Sequence, residues 1–214
     1  SMESILAAVN SSIVPLQEYL LQGSILDSSR DMLLHRLKGL CDNVEAGTVS
    51  FQDHEMVYIM RSNTTNQQPM IFRARRSLTH REAPWHLRYL GTTEPVADKS
   101  RHTLMRSSID VGTSDNLVQF LRDIGFRLDH EFVLKGYFFR KGRMKVTVSK
   151  VFRIVQPDNP DRVEPLTGSY LVELSVVTSA GQEQVQEEMK NFAEQLKPLV
   201  ILEKVDHRRL QQNM

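Results

Sequence analysis

Apolar and polar positions along the chain fall into short blocks whose period switches between two and about 3.6, separating strands from helices. Leu16 to Leu26 (LQEYLLQGSIL) reads as a first strand, ended by the Asp27-Ser28-Ser29 cluster. That cluster is expected to cap a helix. From Arg30 to Asp42, Leu33, Leu34, Leu37, Leu40 and Cys41 recur at helical spacing, with Asp31 near the positive amino end. Strand-like runs follow at Phe51 to Met60, Met70 to Leu78, Trp85 to Gly91 and His102 to Val111, separated by polar or proline-containing segments. Ser114 is expected to cap a second helix carrying Leu117, Val118, Leu121 and Ile124 on one face, with Gly125 as its stop. Arg127 to Phe139 and Arg143 to Val155 form the most strand-rich stretch, joined by a hairpin turn at Lys141-Gly142-Arg143. Ser169 to Thr178 is a last strand. Val185, Met189, Phe192 and Leu196 mark a third helix, closed by Pro198.

About eight strands with three helices leave too few crossover helices for a parallel sheet. The expected class is therefore α+β, dominated by antiparallel sheet in one domain spanning residues 1–214. Closing such a sheet removes edges that invite aggregation, so a β-barrel with outer helices is the preferred architecture. An open sheet covered by helices is the alternative.

Composition narrows the function. The chain has 214 residues, 40% hydrophobic and 25% charged, as expected of a globular protein. No apolar run approaches the roughly 20 residues of a membrane-spanning helix, and no basic-then-apolar leader opens the chain, so no membrane partner is expected. Ser1 ahead of Met2 reads as a remnant of tag removal. The single cysteine, Cys41, lies in a helical apolar pattern and is read as a core thiol in a reducing compartment. Asn10-Ser11-Ser12 and Asn63-Thr64-Thr65 match the glycosylation sequon by chance on this reading. Net charge is only +1, so nucleic acid would need a local patch.

Candidate chemistry is sparse. Asp53-His54-Glu55 is echoed by Asp129-His130-Glu131, both on expected strands. If the two strands were neighbours, four carboxylates could converge on Mg²⁺ or Mn²⁺, but solvated strand starts are the ordinary reading and no metal or other cofactor is assigned. There is no His-x-x-x-His pair, nucleophile elbow, phosphate-cradling glycine loop or dinucleotide fingerprint, so no catalytic residue is named. Arg73, Arg75 and Arg76, and Arg140, Lys141, Arg143 and Lys145, gather near Phe72, Tyr137, Phe138 and Phe139. Charge and stacking of that kind could grip single-stranded RNA, although a solvated strand face with interior phenylalanines is more ordinary. No sequence-specific nucleic-acid contact is expected.

Several longer stretches carry a resemblance. Glu18 to Ser24 (EYLLQGS), Leu37 to Asn43 (LKGLCDN), Ala83 to Gly91 (APWHLRYLG), Gly125 to Val133 (GFRLDHEFV), Ser169 to Val177 (SYLVELSVV) and Asn191 to Leu199 (NFAEQLKPL) resemble the Mediator subunit 18 family in its animal members. Coverage runs from about Glu18 to Leu210, loosest at Ser62 to Gln68. The resemblance implies a nuclear, non-enzymatic head-module subunit. Such a subunit would pair with Mediator subunit 20, receive a helical tail of subunit 8, contact other head-module subunits and help couple transcription regulators to RNA polymerase II. It also implies a barrel akin to the tunnel triphosphatases, whose opening strand reads Glu-x-Glu-x-Lys. Here Glu18, Leu20 and Gln22 stand at those positions, and Glu173-Leu174-Ser175 keeps one carboxylate of a late acidic pair. A barrel used for binding alone is therefore expected, with a residual metal-dependent triphosphatase or phosphate-binding barrel as the alternative. The resemblance, together with the surplus of aromatics, leads to an expected apolar groove for a partner helix, anchored by Trp85, Tyr89, Tyr137 and Phe139.

Overall fold

The computed structural model describes residues 16–42, 47–61, 63, 69–93, 102–179 and 182–205. The Asn10 sequon, the apolar opening before Leu16 and most of Ser62 to Gln68 lie outside them. Among the described residues nine strands form: β1 (Leu16–Leu26), β2 (Val49–Met60), β3 (Met70–Ser77), β4 (Trp85–Thr93), β5 (Leu104–Thr113), β6 (Arg127–Lys141), β7 (Met144–Ile154), β8 (Val163–Pro165) and β9 (Ser169–Thr178). Eight close into an antiparallel ring ordered β6-β2-β3-β4-β5-β1-β9-β7, with β7 pairing back onto β6. β8 has no counterpart in the sequence pattern, being short and ending in proline. It exists because β9 covers β7 only as far as Ser149, leaving Phe152 to Ile154 an edge for Pro165, Glu164 and Val163 to complete.

Among the described residues three α-helices lie outside the ring: α1 (Arg30–Leu40), α2 (Leu117–Asp123) and α3 (Gln184–Gln195). Asp27 to Ser29 forms a 3₁₀ turn running into α1 and makes no side-chain cap hydrogen bond, and the helix ends at Leu40 because Cys41 is already extended. Nor does Ser114 take the N-cap position. Asn116 occupies it, while the Ser114 carbonyl accepts the Leu117 N–H at 3.3 Å and the Ser114 hydroxyl bonds the Asn116 side chain. Gly125 ends α2 as expected, at φ 107°, a backbone that a β-carbon would strain.

Strand alternation decides where the core sits. On β1, Tyr19, Leu21 and Ile25 point outward beneath α1 and α3, joined by Val146, Val148, Val172, Leu174 and Val176 from β7 and β9 and by Leu33, Leu37, Val185, Met189 and Phe192 from the helices. A smaller outer cluster joins Met56, Tyr58 and Ala74 to Leu117, Leu121 and Phe126. The principal apolar cores are thus between barrel wall and helices. The lumen receives the other alternates, polar ones such as Glu18, Gln22 and Glu55 together with apolar ones such as Leu20, Phe132 and Leu134.

After α3 the chain returns across β1. Gln22 and Glu203 exchange two backbone hydrogen bonds of 2.9 Å, on the edge of β1 that β5 leaves open beyond Leu20. Gly23 is required there, since a β-carbon would come within 2.4 Å of the Ile201 carbonyl oxygen. No described helix is long and apolar enough to cross a membrane.

Candidate functional site

Register places Glu18 inward on β1 opposite Arg106 of β5. Arg106 donates to one Glu18 carboxylate oxygen at 3.0 Å and Arg88 of β4 to the other. Glu18 is 3% exposed. Burial alone would raise its pKa, but Arg88 and Arg106 together hold the carboxyl below its ordinary value. A second trio lies on β2 and β3: Glu55 faces Arg73 at 3.4 Å and Arg75 at 3.3 Å. These two glutamates anchor the polar interior.

Other inward groups are less matched. Glu173 lies opposite Gln22 in the β1–β9 ladder, and burial pushes its carboxyl up, reinforced by the Glu18 charge and opposed by Arg106 and Arg88. Burial likewise raises Asp53, against the pull of Arg75. Lys145 enters from β7, its ammonium 5.6 Å from the Phe138 ring. Burial and the charges of Arg75, Arg140 and Arg88 push its pKa down.

The acidic echo resolves differently from a metal site. β2 and β6 are indeed neighbours, pairing Met56 with Glu131. Yet Asp53 and Glu55 turn into the lumen while Glu131 turns outward to His54 at 3.1 Å, and Asp129 bonds His130 at 2.6 Å. Among the described residues no three His, Cys, Asp or Glu side chains are placed to hold a metal. At the positions compared with Glu-x-Glu-x-Lys, Glu18 is engaged by two arginines, and Leu20 and Gln22 supply neither a second acid nor a cation.

The basic clusters also divide. Arg73, Arg75 and Lys145 point inward, Arg76 packs its guanidinium 5.2 Å from the outer Trp85 ring, and Arg143 reaches Gln182 and Glu188. Phe72 belongs to the outer cluster, 4.8 Å from Phe126. They therefore do not form one stacking face. Cys41 is buried as expected, and burial pushes its thiol up to about 11, leaving it protonated at neutral pH.

The four aromatic candidates fall on two outer surfaces. Trp85 and Tyr89 are half-buried on β4, Trp85 against the smaller cluster and Tyr89 edge-on to Phe72 at 5.7 Å. Tyr137 and Phe139 lie on β6 against the larger cluster. Tyr137 is partly buried and lines a shallow groove with Leu34, His35 and Lys38 of α1, while Phe139 is 8% exposed within the core. Sequence reading missed Arg88 and Arg106 as partners of Glu18 because they lie 70 and 88 residues away. Their inward parity on alternating strands was the available signal.

The family profile described as Med18 protein matches residues 17–212. The chain is 58% identical over 202 residues to Mediator of RNA polymerase II transcription subunit 18 of Danio rerio, covering 94% of this chain and 95% of that one. The Drosophila melanogaster protein of the same name is 52% identical over 209 residues, covering 97% and 94%. Among solved structures, the Schizosaccharomyces pombe Mediator head module contains a chain matching with TM-score 0.70 at 16% identity, over 88% of this chain and 98% of that one. The RNA triphosphatase domain of the mimivirus capping enzyme matches with TM-score 0.51 at 9% identity, over 91% and 96%, a likeness of fold alone.

Proposed function

The chain belongs to the Med18 protein family, and from that premise we propose that it acts as a non-enzymatic scaffold and interaction subunit of the Mediator head module. In that role it works in the nucleus, pairs with Mediator subunit 20, receives a helical tail of subunit 8 and helps couple transcription regulators to RNA polymerase II. One observation carries the non-catalytic part. Glu18, the surviving acid of the opening strand, has both oxygens committed to Arg88 and Arg106, with leucine and glutamine at the next two inward positions. A carboxylate so neutralised is a poor metal ligand.

The outer wall is the binding surface in this reading. Tyr137 joins an aromatic body to a polar tip beside α1, suiting it to the rim of a helix-binding groove. Trp85 and Tyr89 offer a second aromatic surface on β4, and Phe139 supports the first from beneath. Capture of the full chain from nuclear extract tests the assignment: other Mediator subunits are expected among the bound proteins, and their absence overturns it. Hydrolysis of inorganic triphosphate, ATP and RNA 5′-triphosphate with Mg²⁺ and Mn²⁺ tests the rest. Turnover that persists through purification and disappears in Glu18→Ala and Glu173→Ala would overturn the non-enzymatic reading.

A further inference from the structure

Register lines up one row of outward side chains across five strands: Val133 of β6, His54 of β2, Arg76 of β3, Trp85 of β4 and Thr113 of β5. The next row, Met56, Ala74 and Leu87, belongs to the outer cluster beneath α2, so the Arg76 row borders that cluster. Its polar groups lack partners. Among the described residues Arg76 has no hydrogen-bond or ion-pair partner; its guanidinium lies 5.2 Å from the Trp85 ring and its Nε–H is buried without an acceptor. His54 stands opposite Arg76 in the ladder, 6% exposed, its Nε2 on Glu131 and its Nδ1 buried without a partner. Lys135, two residues beyond Val133 on β6, has a ring contact with Phe152 at 4.9 Å and no described ion pair. Strand spacing sets Arg76 and Lys135 roughly 12 Å apart on the same outer face. The acids of these strands are used elsewhere: Asp53 and Glu55 turn into the lumen, and Glu131 is engaged by His54.

Buried nitrogens without acceptors forfeit hydrogen bonds that water would supply, so each marks a place where an acceptor is missing. We propose that the Arg76–Trp85 row is a docking surface for an acidic segment of a partner protein, in which one carboxylate pairs with Arg76, a neighbouring apolar or aromatic side chain lies on Trp85 and a second acid reaches toward Lys135. Charge complementarity selects this occupant, because two cations on one outer face have no acid of their own chain. A guanidinium already stacked on a ring keeps its fork free for bidentate pairing with a carboxylate. Tryptophan and arginine are also the residue types in which interface binding energy concentrates. Two separated cations make too sparse a track for a phosphate backbone, which is held by many contacts along its length. The surface rests on the outer wall being the binding side of the scaffold, and it gives the β4 side of that wall a partner chemistry of its own.

Trp85 is the single tryptophan of the chain, so its fluorescence reports this surface directly. The full chain is titrated with a capped peptide in which glutamate and phenylalanine alternate, and with the same peptide carrying glutamine in place of glutamate. A saturable change in Trp85 emission with the first and none with the second is expected. Arg76→Gln should weaken binding about ten-fold or more, as loss of a charged hydrogen bond does. The same variant should melt no lower than the parent, because Arg76 has no acidic partner to lose in the free chain. Arg76→Lys, which keeps the charge without the fork, should fall between them, and Lys141→Ala in the exposed β6–β7 hairpin should leave affinity unchanged. Absence of saturable binding overturns the surface, as does equal affinity for the glutamine peptide or undiminished affinity in Arg76→Gln. Single-stranded RNA that reproduces the emission change with the same dependence on Arg76 also overturns it, since the patch would then take any polyanion. Mediator subunits captured from nuclear extract by a chain that fails to bind the acidic peptide overturn the docking surface alone; failure of both overturns the scaffold reading as well.

Discussion

Glu18 shows how one carboxylate organises a polar interior. Its two guanidinium partners come from different strands, and all three side chains are largely buried, at 4%, 22% and 13% exposure. Replacing it with Ala leaves both arginines facing each other without a counter-charge, and should cost about 3 to 5 kcal/mol in urea unfolding. Glu18→Gln keeps the acceptor and should cost less. Glu173 has the opposite sign. Burial raises its folded pKa, so the contribution from its proton is present below the unfolded value and is lost as pH rises through the folded one. Glu173→Gln should therefore raise the unfolding midpoint at neutral pH and make no difference in acid. A variant less stable than the parent at pH 7 would show that the Gln22 contact outweighs the burial.

At the scale of elements, the return of the chain over β1 and the packing of β6 under α1 each make a sharp comparison. Gly23 leaves room for the Ile201 carbonyl, and Val200 and Leu202 bury beside it. Gly23→Ala should displace this segment and cost about 1 to 3 kcal/mol, as overpacking does; faster amide exchange at Gln22 and Glu203 is the accompanying readout. On β6, Tyr137→Ala should weaken affinity for a partner helix by about 2 kcal/mol with little change in melting temperature. Phe139→Ala, two residues on, should instead destabilise the fold by about 3 to 5 kcal/mol. Equal effects from both in either assay would mean that the groove beside α1 is not a binding surface. The helix and strand positions themselves were legible, because period 2 and period 3.6 survive in Leu33/Leu37 and in Val172/Leu174/Val176. The cap at Asn116 was not, since Ser114 and Asn116 are both good capping residues and only the backbone path chooses between them.

For the whole molecule, ring closure sets the response to acid. Burial holds the His54 pKa below the ordinary histidine value despite its Glu131 partner, so its stabilising contribution is present above the unfolded pKa and is lost as pH falls through about 6.5 and below. Glu18, held low by its arginines, adds a second loss of the same sign at lower pH. His54→Gln should flatten the first part of the urea-midpoint profile and leave the second. By itself the sequence determined the element types, the eight long strands, the antiparallel class and the family, because each is written in local periodicity or in contiguous residues such as APWHLRYLG. Only the tertiary structure decided that β7 returns to β6, that the apolar core lies outside the ring, and that β8 forms at all. The same holds for the lumen, where Glu18 meets Arg88 and Arg106. Pairing partners and side-chain meetings across a closed sheet depend on register between residues far apart in the chain, and a one-residue slip would exchange the inward and outward faces.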